Sequence, residues 1–320
     1  MVETAIAIKP AGPFSWAALM DVMANFQAMT QHWQGTTEVV RMTFPLDGAF
    51  TPVGVALRFV EGRLRADVTG SNDLAAVERQ VARIFSLDHD ATEYPKVGAR
   101  DPKIGALMTA LPGLRPLNFT SPYETAAWGV ISQRISMRQA ARVKATLVAE
   151  HGHPLQVAGE QVGCFPVPER LATVDAVPGL SGEKVARLKG VARAAMAGTL
   201  DADRLRALGH KAGPASLRDI PGIGPFWASG IYVRGCGIVD VFPDEPLAIA
   251  ALGQLHGRGD APDVPTIESL TEVYRPFRMW ACFLLRVAAN RGLIGGISKR
   301  EGAIRRAAEG RTSRRRQRSS

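Results

Sequence analysis

Cysteine is scarce in this sequence. The 320 residues include three, Cys164, Cys236 and Cys282, and no two of them form a CxxC pair. So few cysteines, so far apart, argue against a disulfide framework, a zinc site and an iron–sulfur cluster. We therefore expect no metal ligands among them, only reduced thiols packed in a core.

Long apolar runs and a leader-like N-terminus are also missing. No stretch approaches the roughly 18 consecutive apolar residues that a membrane span needs. The opening MVETAIAIKPAGPF lacks the basic region and apolar core of a secretory signal. With 46% hydrophobic and 22% charged residues, the composition is that of a globular protein of two or three domains. We expect a cytoplasmic protein with no membrane partner.

Net positive charge is small over most of the chain although the formal net charge is +9. Residues 299–320 hold nine basic residues against Glu301 and Glu309, a net +7, which leaves +2 for residues 1–298. Basicity alone does not mark the body as a nucleic-acid binder. The basic tail is predicted to be disordered. It either holds polyanions through counterion release or only keeps the protein soluble.

The first 95 residues carry the clearest strand signals. FSWAALMDVMANF is typical of a helix, and TTEVVRMTF is rich in β-branched residues. VALRF and GRLRADV alternate around Val60-Glu61-Gly62, which predicts a hairpin. Leu74, Val77 and Val81 then repeat at helical spacing after the capping candidates Ser71 to Asp73. These patterns predict a small α+β domain over residues 1–95.

From about residue 101 the pattern becomes almost purely helical. Residues 121–152 have the apolar spacing of one or two helices. Pro112-Gly113, Gly152-His153-Pro154 and Pro178-Gly179 are predicted to be loops.

A glycine-rich turn at residues 217–235, LRDIPGIGPFWASGIYVRG, is the most informative segment. A helix is predicted to end near Asp219 and another to begin near Pro225. Glycine permits close backbone approach and positive φ, so the amides of residues 222–224 are expected to point outward beside the second helix start. A DNA phosphate fits such a site without sequence preference. A plain turn between two helices remains the alternative.

Several motifs together resemble one family, the helix-hairpin-helix DNA glycosylases of the 3-methyladenine DNA glycosylase II branch. The turn L-x-x-I-P-G-I-G is followed by Ala228 and Ile231 on the packing face. DVFPDEPL (240–247), YRPFRMWA (274–281), GVISQRIS (129–136) and DPKIGALMTALPGLRP (101–116) extend the resemblance over residues 10–298. The combination is far more specific than the turn alone.

This resemblance implies an α+β protein with a small N-terminal α+β domain and two mainly helical domains that flank the active cleft. The boundaries are 1–95 for the first domain, 123–235 for the helical domain with the hairpin, and 96–122 plus 236–298 for the second helical domain. Residues 299–320 form the basic tail.

A carboxylate at the start of a helix is the candidate catalytic group. Pro246 suits the first helical position, which places Glu245 at the N-cap and Asp244 before it. Glutamate is not a favoured cap, so a structural role alone explains it poorly. Members of the family carry aspartate where this chain has Glu245. Glu245 is the first candidate, Asp244 the second, and a cap without catalysis the third.

The resemblance also implies the reaction. A single anion stabilises the oxocarbenium-like sugar and orients water, because an alkylated purine is already cationic and leaves without a strong acid. Some relatives use a lysine of the hairpin's second helix as a Schiff-base nucleophile, where this chain has Phe226 or Trp227. Without an amine there, a monofunctional enzyme without lyase activity is expected.

The remaining site residues are predicted from the same resemblance. The residue after the glutamine of the G/S-Q-x-x-S motif fills the gap left by the flipped nucleotide, and here it is Arg134. A surface arginine without that role is the alternative. The base pocket has less aromatic character than in relatives, because Arg286 and Val287 replace an aromatic pair. The DNA-binding candidates are Gly222, Ile223, Gly224, Gln133, Arg134 and Ser136, and the pocket candidates are Phe226, Trp227, Trp280 and Arg286.

The expected partner is double-stranded DNA with a damaged base, bound by a monomer in the cytoplasm of a bacterial-type cell, at the nucleoid. No cofactor is implied, although the hairpin carbonyls could hold a monovalent cation. The competing hypothesis is a non-catalytic protein that binds damaged DNA on the same scaffold, and the glutamate in place of aspartate favours it.

Overall fold

The computed structural model describes residues 5–26, 28, 34–35, 38–259 and 261–295. The predicted tail at 299–320 lies outside these residues. The strands are β1 Ala5–Ile8, β2 Gln34–Gly35, β3 Val40–Pro45, β4 Pro52–Val60, β5 Arg63–Thr69, β6 His153–Val157 and β7 Glu160–Cys164. The helices are α1 Trp16–Ala24, α2 Leu74–Ile84, α3 Pro95–Arg100, α4 Pro102–Ala110, α5 Pro122–Ile131, α6 Met137–His151, α7 Pro168–Ala172, α8 Gly182–Met196, α9 Ala202–Ser216, α10 Pro225–Gly230, α11 Pro246–Leu255, α12 Val264–Glu272 and α13 Arg278–Asn290.

The chain divides into two compact units. Of the described residues, the first contains those within 5–11, 16–90 and 117–238, and the second contains those within 12–15, 91–116 and 239–295. The α+β fold class is confirmed, since an antiparallel sheet accompanies many helices. The predicted N-terminal and hairpin domains fall within the first unit, and the predicted discontinuous helical domain corresponds closely to the second. The three-part division itself stays a prediction.

The sheet of the first unit has the strand order β1-β5-β4-β3-β2 and is antiparallel. The predicted hairpin is confirmed: Val60 pairs with Arg63, and Glu61 and Gly62 form the turn at φ 52° and 71°. Two left-handed residues in succession give a hairpin turn whose twist matches that of the flanking strands. The strand alternation read from the sequence thus sets the register of β4 and β5.

Helix α2 begins where the sequence predicts. The carboxylate of Asp73 accepts a hydrogen bond from the Ala76 N–H at 3.0 Å and caps the helix. Val77, Val81 and Ile84 are buried, as their helical spacing requires.

A second hairpin, formed by β6 and β7, corrects the prediction that the chain after residue 101 is almost purely helical. His153 begins a strand, so the loop predicted at Gly152-His153-Pro154 is wrong beyond its first residue. Proline is tolerated there because the two-stranded ribbon leaves one side of β6 without ladder hydrogen bonds. The turn at Ala158 and Gly159, with φ 46° and 80°, repeats the geometry of the first hairpin.

Residues 121–152 form two helices, α5 and α6. Ser121 caps α5 by accepting the Glu124 N–H, and Ser136 caps α6. The helices are joined inside the unit by an ion pair between the Lys144 Nζ and the Glu124 Oε1 at 3.1 Å. Burial lowers the pKa of Lys144, and the Glu124 carboxylate opposes that shift. A buried pair of this kind is costly to break, so it fixes how α5 and α6 pack.

In the second unit, α13 is the central helix. Ten of its thirteen residues are buried. Asp101 caps α4 and also accepts a hydrogen bond from the Tyr274 hydroxyl at 2.7 Å. Burial and this hydrogen bond raise the pKa of Tyr274. The His256 ring, at the end of α11, lies 3.2 Å from the same carboxylate, so both ends of α11 are held.

No helix in the described part of the chain is long and apolar enough to cross a bilayer.

Candidate functional site

The glycine-rich turn has the predicted boundaries. A one-turn 3₁₀ helix covers Leu217–Asp219, and α10 begins at Pro225 and continues as π-helical Ile231–Gly235. Ile220 and Ile223 are buried, so their side chains anchor the turn in the core. Gly222 has φ +89°, a conformation that glycine adopts without strain, and Gly224 is extended and exposed.

The amides of this turn differ from one another, which corrects one expectation. The Ile223 N–H does not point outward, because it donates to the Ile220 carbonyl at 3.0 Å within the turn. Within the described residues, the N–H groups of Gly222 and Gly224 have no acceptor, and both lie at or near the surface. Two donors, and not three, are thus free for an anion at this turn.

The residues of the SQRIS motif are brought against the turn. The side-chain amide of Gln133 donates to the Gly222 carbonyl at 2.7 Å, and its oxygen accepts from the Arg187 Nη1 at 3.0 Å. The Lys184 Nζ donates to the Ile131 and Gln133 carbonyls at 2.8 and 2.6 Å. Gln133 therefore acts inside the first unit, as a brace that fixes the turn.

Lys184 and Arg187 are functional candidates that the sequence analysis missed. Both lie on α8, about fifty residues after the motif that they hold, so no local spacing connects them. Burial, and secondarily the Arg187 charge, lowers the pKa of Lys184. A Cβ at Gly222 would lie 2.7 Å from the Arg187 Cδ, so the close packing of α8 on the turn also requires glycine.

Arg134 has an unusual backbone. Its φ is +57°, in the left-handed region that disfavours side chains with a Cβ, and its side chain is exposed. It has no hydrogen-bond or ion-pair partner among the described residues. Ser136, another candidate, accepts the Gln139 N–H in a capping box at the start of α6. That structural task accounts for Ser136, and its contact with DNA stays a prediction.

Phe226 and Trp227 lie at the start of α10. Phe226 is 57% exposed and meets Trp227 edge to face, with ring centroids 5.5 Å apart. Trp227 is half-buried on α5, where a Cβ at Gly129 would come within 2.9 Å of its ring. An exposed phenyl ring is unusual in a folded unit and is available for a planar ligand.

In the second unit, Glu245 is the N-cap of α11 and Pro246 is its first residue, as predicted. The Glu245 Oε2 accepts the Ala248 N–H at 2.6 Å. The expectation that a capping role explains Glu245 poorly is thus wrong, because its longer side chain reaches the Ala248 N–H in the first turn of the helix. Glu245 is half-buried and Asp244 is exposed.

The loop before Glu245 is held by the RPFR motif. The Asp240 carboxylate accepts hydrogen bonds from the Arg275 Nη1 and the Arg278 Nε, both at 2.7 Å. Arg278 also donates to the Asp240 carbonyl, and Met279 donates to the Val239 carbonyl. The two segments that carry the family resemblance in this unit therefore bind each other.

The structure gives Trp280 and Arg286 different surroundings. Trp280 is 2% exposed and packs in the core against Tyr94 and Phe277, with the Arg115 guanidinium over its ring. This position corrects its assignment to the base pocket, because a core ring cannot stack on a ligand. Arg286 is half-buried on α13 and has no partner among the described residues.

The described residues bring together no group of three or more His, Cys, Asp or Glu that could hold a metal ion. The carbonyls of Ile220 and Gly222 in the turn each accept a hydrogen bond, and a monovalent cation at this turn stays a prediction.

No protein-family model matches the chain. It is similar to the DNA-3-methyladenine glycosylase of Bacillus subtilis (strain 168), with 26% identity over 204 residues, which are 62% of this chain and 66% of that protein. It is also similar to the DNA-3-methyladenine glycosylase 2 of Escherichia coli (strain K12), with 29% identity over 187 residues, which are 56% of this chain and 61% of that protein. The matches span less than two thirds of either relative.

A solved structure extends the likeness to most of the chain. The 3-methyladenine DNA-glycosylase from Archaeoglobus fulgidus superposes on 88% of this chain with 97% of its own, at a TM-score of 0.74 and 22% identity. The overall fold is therefore shared.

Proposed function

From its place among the relatives of the 3-methyladenine glycosylases in the helix-hairpin-helix superfamily, we propose that this chain is a monofunctional DNA N-glycosylase. It flips an alkylated base of the 3-methyladenine type out of duplex DNA and releases it by hydrolysis. The observation that carries the proposal is Glu245, a partly exposed carboxylate fixed at the N-cap of α11. It would act on chromosomal DNA as a cytoplasmic monomer.

The first unit supplies the grip on DNA. The free amides of Gly222 and Gly224 bind phosphate oxygens, and Gln133, Lys184 and Arg187 hold the turn in shape. Because these donors are backbone groups, they bind any sequence alike. A repair enzyme that must scan unrelated sequences needs a grip of this kind.

The second unit supplies the chemistry. As the bond between sugar and base breaks, positive charge develops on the sugar, and the Glu245 carboxylate stabilises it. One Glu245 oxygen is bound to the Ala248 N–H, so the other is left to orient a water molecule toward the sugar carbon. No second acid is needed when the leaving base is already cationic. Arg286 replaces an aromatic ring of the relatives and narrows the range of cationic bases that the pocket accepts.

Base release from methylated duplex DNA tests this proposal. We expect free methylated base, detected by mass spectrometry, and a DNA strand that stays whole until alkali cleaves it. Borohydride should trap no covalent adduct, since positions 226 and 227 carry no amine. Binding without release of any base from a panel of alkylated duplexes would leave only the non-catalytic alternative.

The backbone of Arg134 is predicted to lower the stability of the protein, while its side chain is predicted to be needed for base release. Arg134→Gly removes left-handed strain worth about 1 kcal/mol but adds unfolded-state freedom of similar size. We expect a free energy of unfolding within about 1 kcal/mol of wild type, and loss of base release because nothing fills the gap left by the flipped nucleotide.

Arg134→Ala is the matched control for this position. It lacks the same guanidinium but keeps the strained backbone. It should therefore lose base release as the glycine variant does, with a free energy of unfolding no higher than that of wild type. Normal release by the glycine variant contradicts the assignment of Arg134 to the gap. Urea unfolding and single-turnover release are the two measurements.

Asp240 is predicted to position the loop that leads to Glu245. Asp240→Asn removes the charge that both arginines bind, at a cost of about 1–2 kcal/mol because the pair is only partly buried. A carboxylate displaced by even about 1 Å lowers the release rate by up to roughly a hundredfold. Glu272→Gln is the control, since Glu272 binds Arg275 without touching the loop. Equal rates in both variants would show that Asp240 has no positioning role.

A further inference from the structure

Two exposed arginines lie in the first half of α6, after Arg134. Arg138 and Arg142 follow Arg134 at intervals of four residues, and both are exposed. In a helix such residues share one face, and the rise between them is about 6 Å. Within the described residues, neither has a hydrogen-bond or ion-pair partner. We call Arg138 and Arg142 the arginine row.

The fold itself does not favour this placement. Arg138 lies in the first turn of α6, where the helix dipole disfavours a cation, and Arg142 is a like charge one turn away. The only acidic residue of α6 is Glu150, two turns beyond Arg142. By contrast, Arg58 and Arg65 of the sheet in the same unit bind Asp67 and Glu61. An external anion would offset the repulsion within the row.

The row follows, along the chain, a segment that is bound to the glycine turn. Arg134 directly follows Gln133, whose amide holds the Gly222 carbonyl, and Ser136 then starts α6 two residues before Arg138. The row and the two free amides therefore lie in the same unit and are linked through Gln133. Among anions, a nucleic-acid strand presents charges at regular intervals over this length.

We propose that Arg138 and Arg142 bind consecutive phosphates of the duplex, outside the glycine turn, and hold undamaged DNA during the search for a lesion. This inference rests on the proposed function. The contacts are made to the backbone, so they are independent of sequence and strongly dependent on salt.

The salt dependence of binding to an undamaged, fluorescently labelled duplex tests the row. Each phosphate contact contributes about 0.9 to the slope of log affinity against log salt. The full-length double variant Arg138→Gln/Arg142→Gln should have a slope about 1.8 smaller than wild type, and each single variant should lose about half of that. Between 50 and 200 mM salt, wild type should therefore lose about tenfold more affinity than the double variant.

Arg63→Gln/Arg79→Gln is the matched control. Both arginines are exposed in the first unit and have no described partner, so the control removes equal charge elsewhere. Its slope should equal that of wild type, and no variant should melt below wild type. An unchanged slope in the row variants, or an equal loss in the control, overturns the row. If wild type binds no DNA at all, the proposed function fails and not only the row.

Discussion

Glu245→Gln should lower the single-turnover rate of base release by about 10²–10⁴-fold while DNA affinity stays near that of wild type. The neutral amide cannot stabilise a positive sugar or orient water as a base. Its oxygen can still accept the Ala248 N–H, so the cap and the start of α11 remain in place. The rate is measured with enzyme in excess over a duplex that contains one N-methylated purine.

Asp244→Asn is the neighbouring control for this variant. Asp244 is exposed and makes no hydrogen bond within the described residues, so its amide should release base within about threefold of the wild-type rate. If Asp244→Asn loses more activity than Glu245→Gln, the carboxylate has been assigned to the wrong residue. The free energy of unfolding of both variants, measured by thermal melting, should lie within about 1 kcal/mol of wild type.

Gly224→Ala should weaken DNA binding by about 10–100-fold without destabilising the protein. Gly224 is extended at φ −84°, and a Cβ there would meet no atom within 4 Å, so the fold accepts alanine. The added methyl group instead blocks the approach of a phosphate to the Gly224 amide. A lost hydrogen bond to a charged group is worth about 1.5–3 kcal/mol, which gives the expected factor.

Variants of two further glycines separate a loss of DNA binding from a loss of stability. Gly222→Ala should weaken binding and also lower the free energy of unfolding by about 1 kcal/mol or more, because φ is +89° and Arg187 lies in the way. Gly182→Ala, at another open position in the first unit, should leave DNA binding unchanged and should not lower the free energy of unfolding. Unimpaired DNA binding by Gly224→Ala would mean that the phosphate does not bind at this turn.

Local rules predicted the elements that local interactions determine. The cap at Asp73, the turn at Glu61 and Gly62, the helix start at Pro225 and the N-cap at Glu245 each depend on residues within four positions. The β6–β7 hairpin was also readable, since Leu155, Val157, Val162 and Cys164 alternate around Ala158 and Gly159. It was missed because the surrounding helical pattern was extended through it.

Contacts between distant residues account for what the sequence could not predict. Lys184 and Arg187 brace the turn from a helix about fifty residues away, and Asp240 meets two arginines that follow it by more than thirty. A tryptophan such as Trp280 occurs both in protein cores and in ligand pockets, and only the packing of the fold decides between the two. The outward amide of Ile223 was a wrong expectation for a local reason, because its N–H donates to the Ile220 carbonyl three residues earlier.

Measuring both the dissociation constant and the saturated single-turnover rate for Glu245→Gln and Gly224→Ala tests the account most directly. In the proposed function, Glu245 carries the chemistry and Gly224 the grip on DNA. We expect a slow rate at wild-type affinity for Glu245→Gln, and weak affinity at a near wild-type saturated rate for Gly224→Ala. If each variant loses affinity and rate in equal proportion, that division between carboxylate and turn is contradicted.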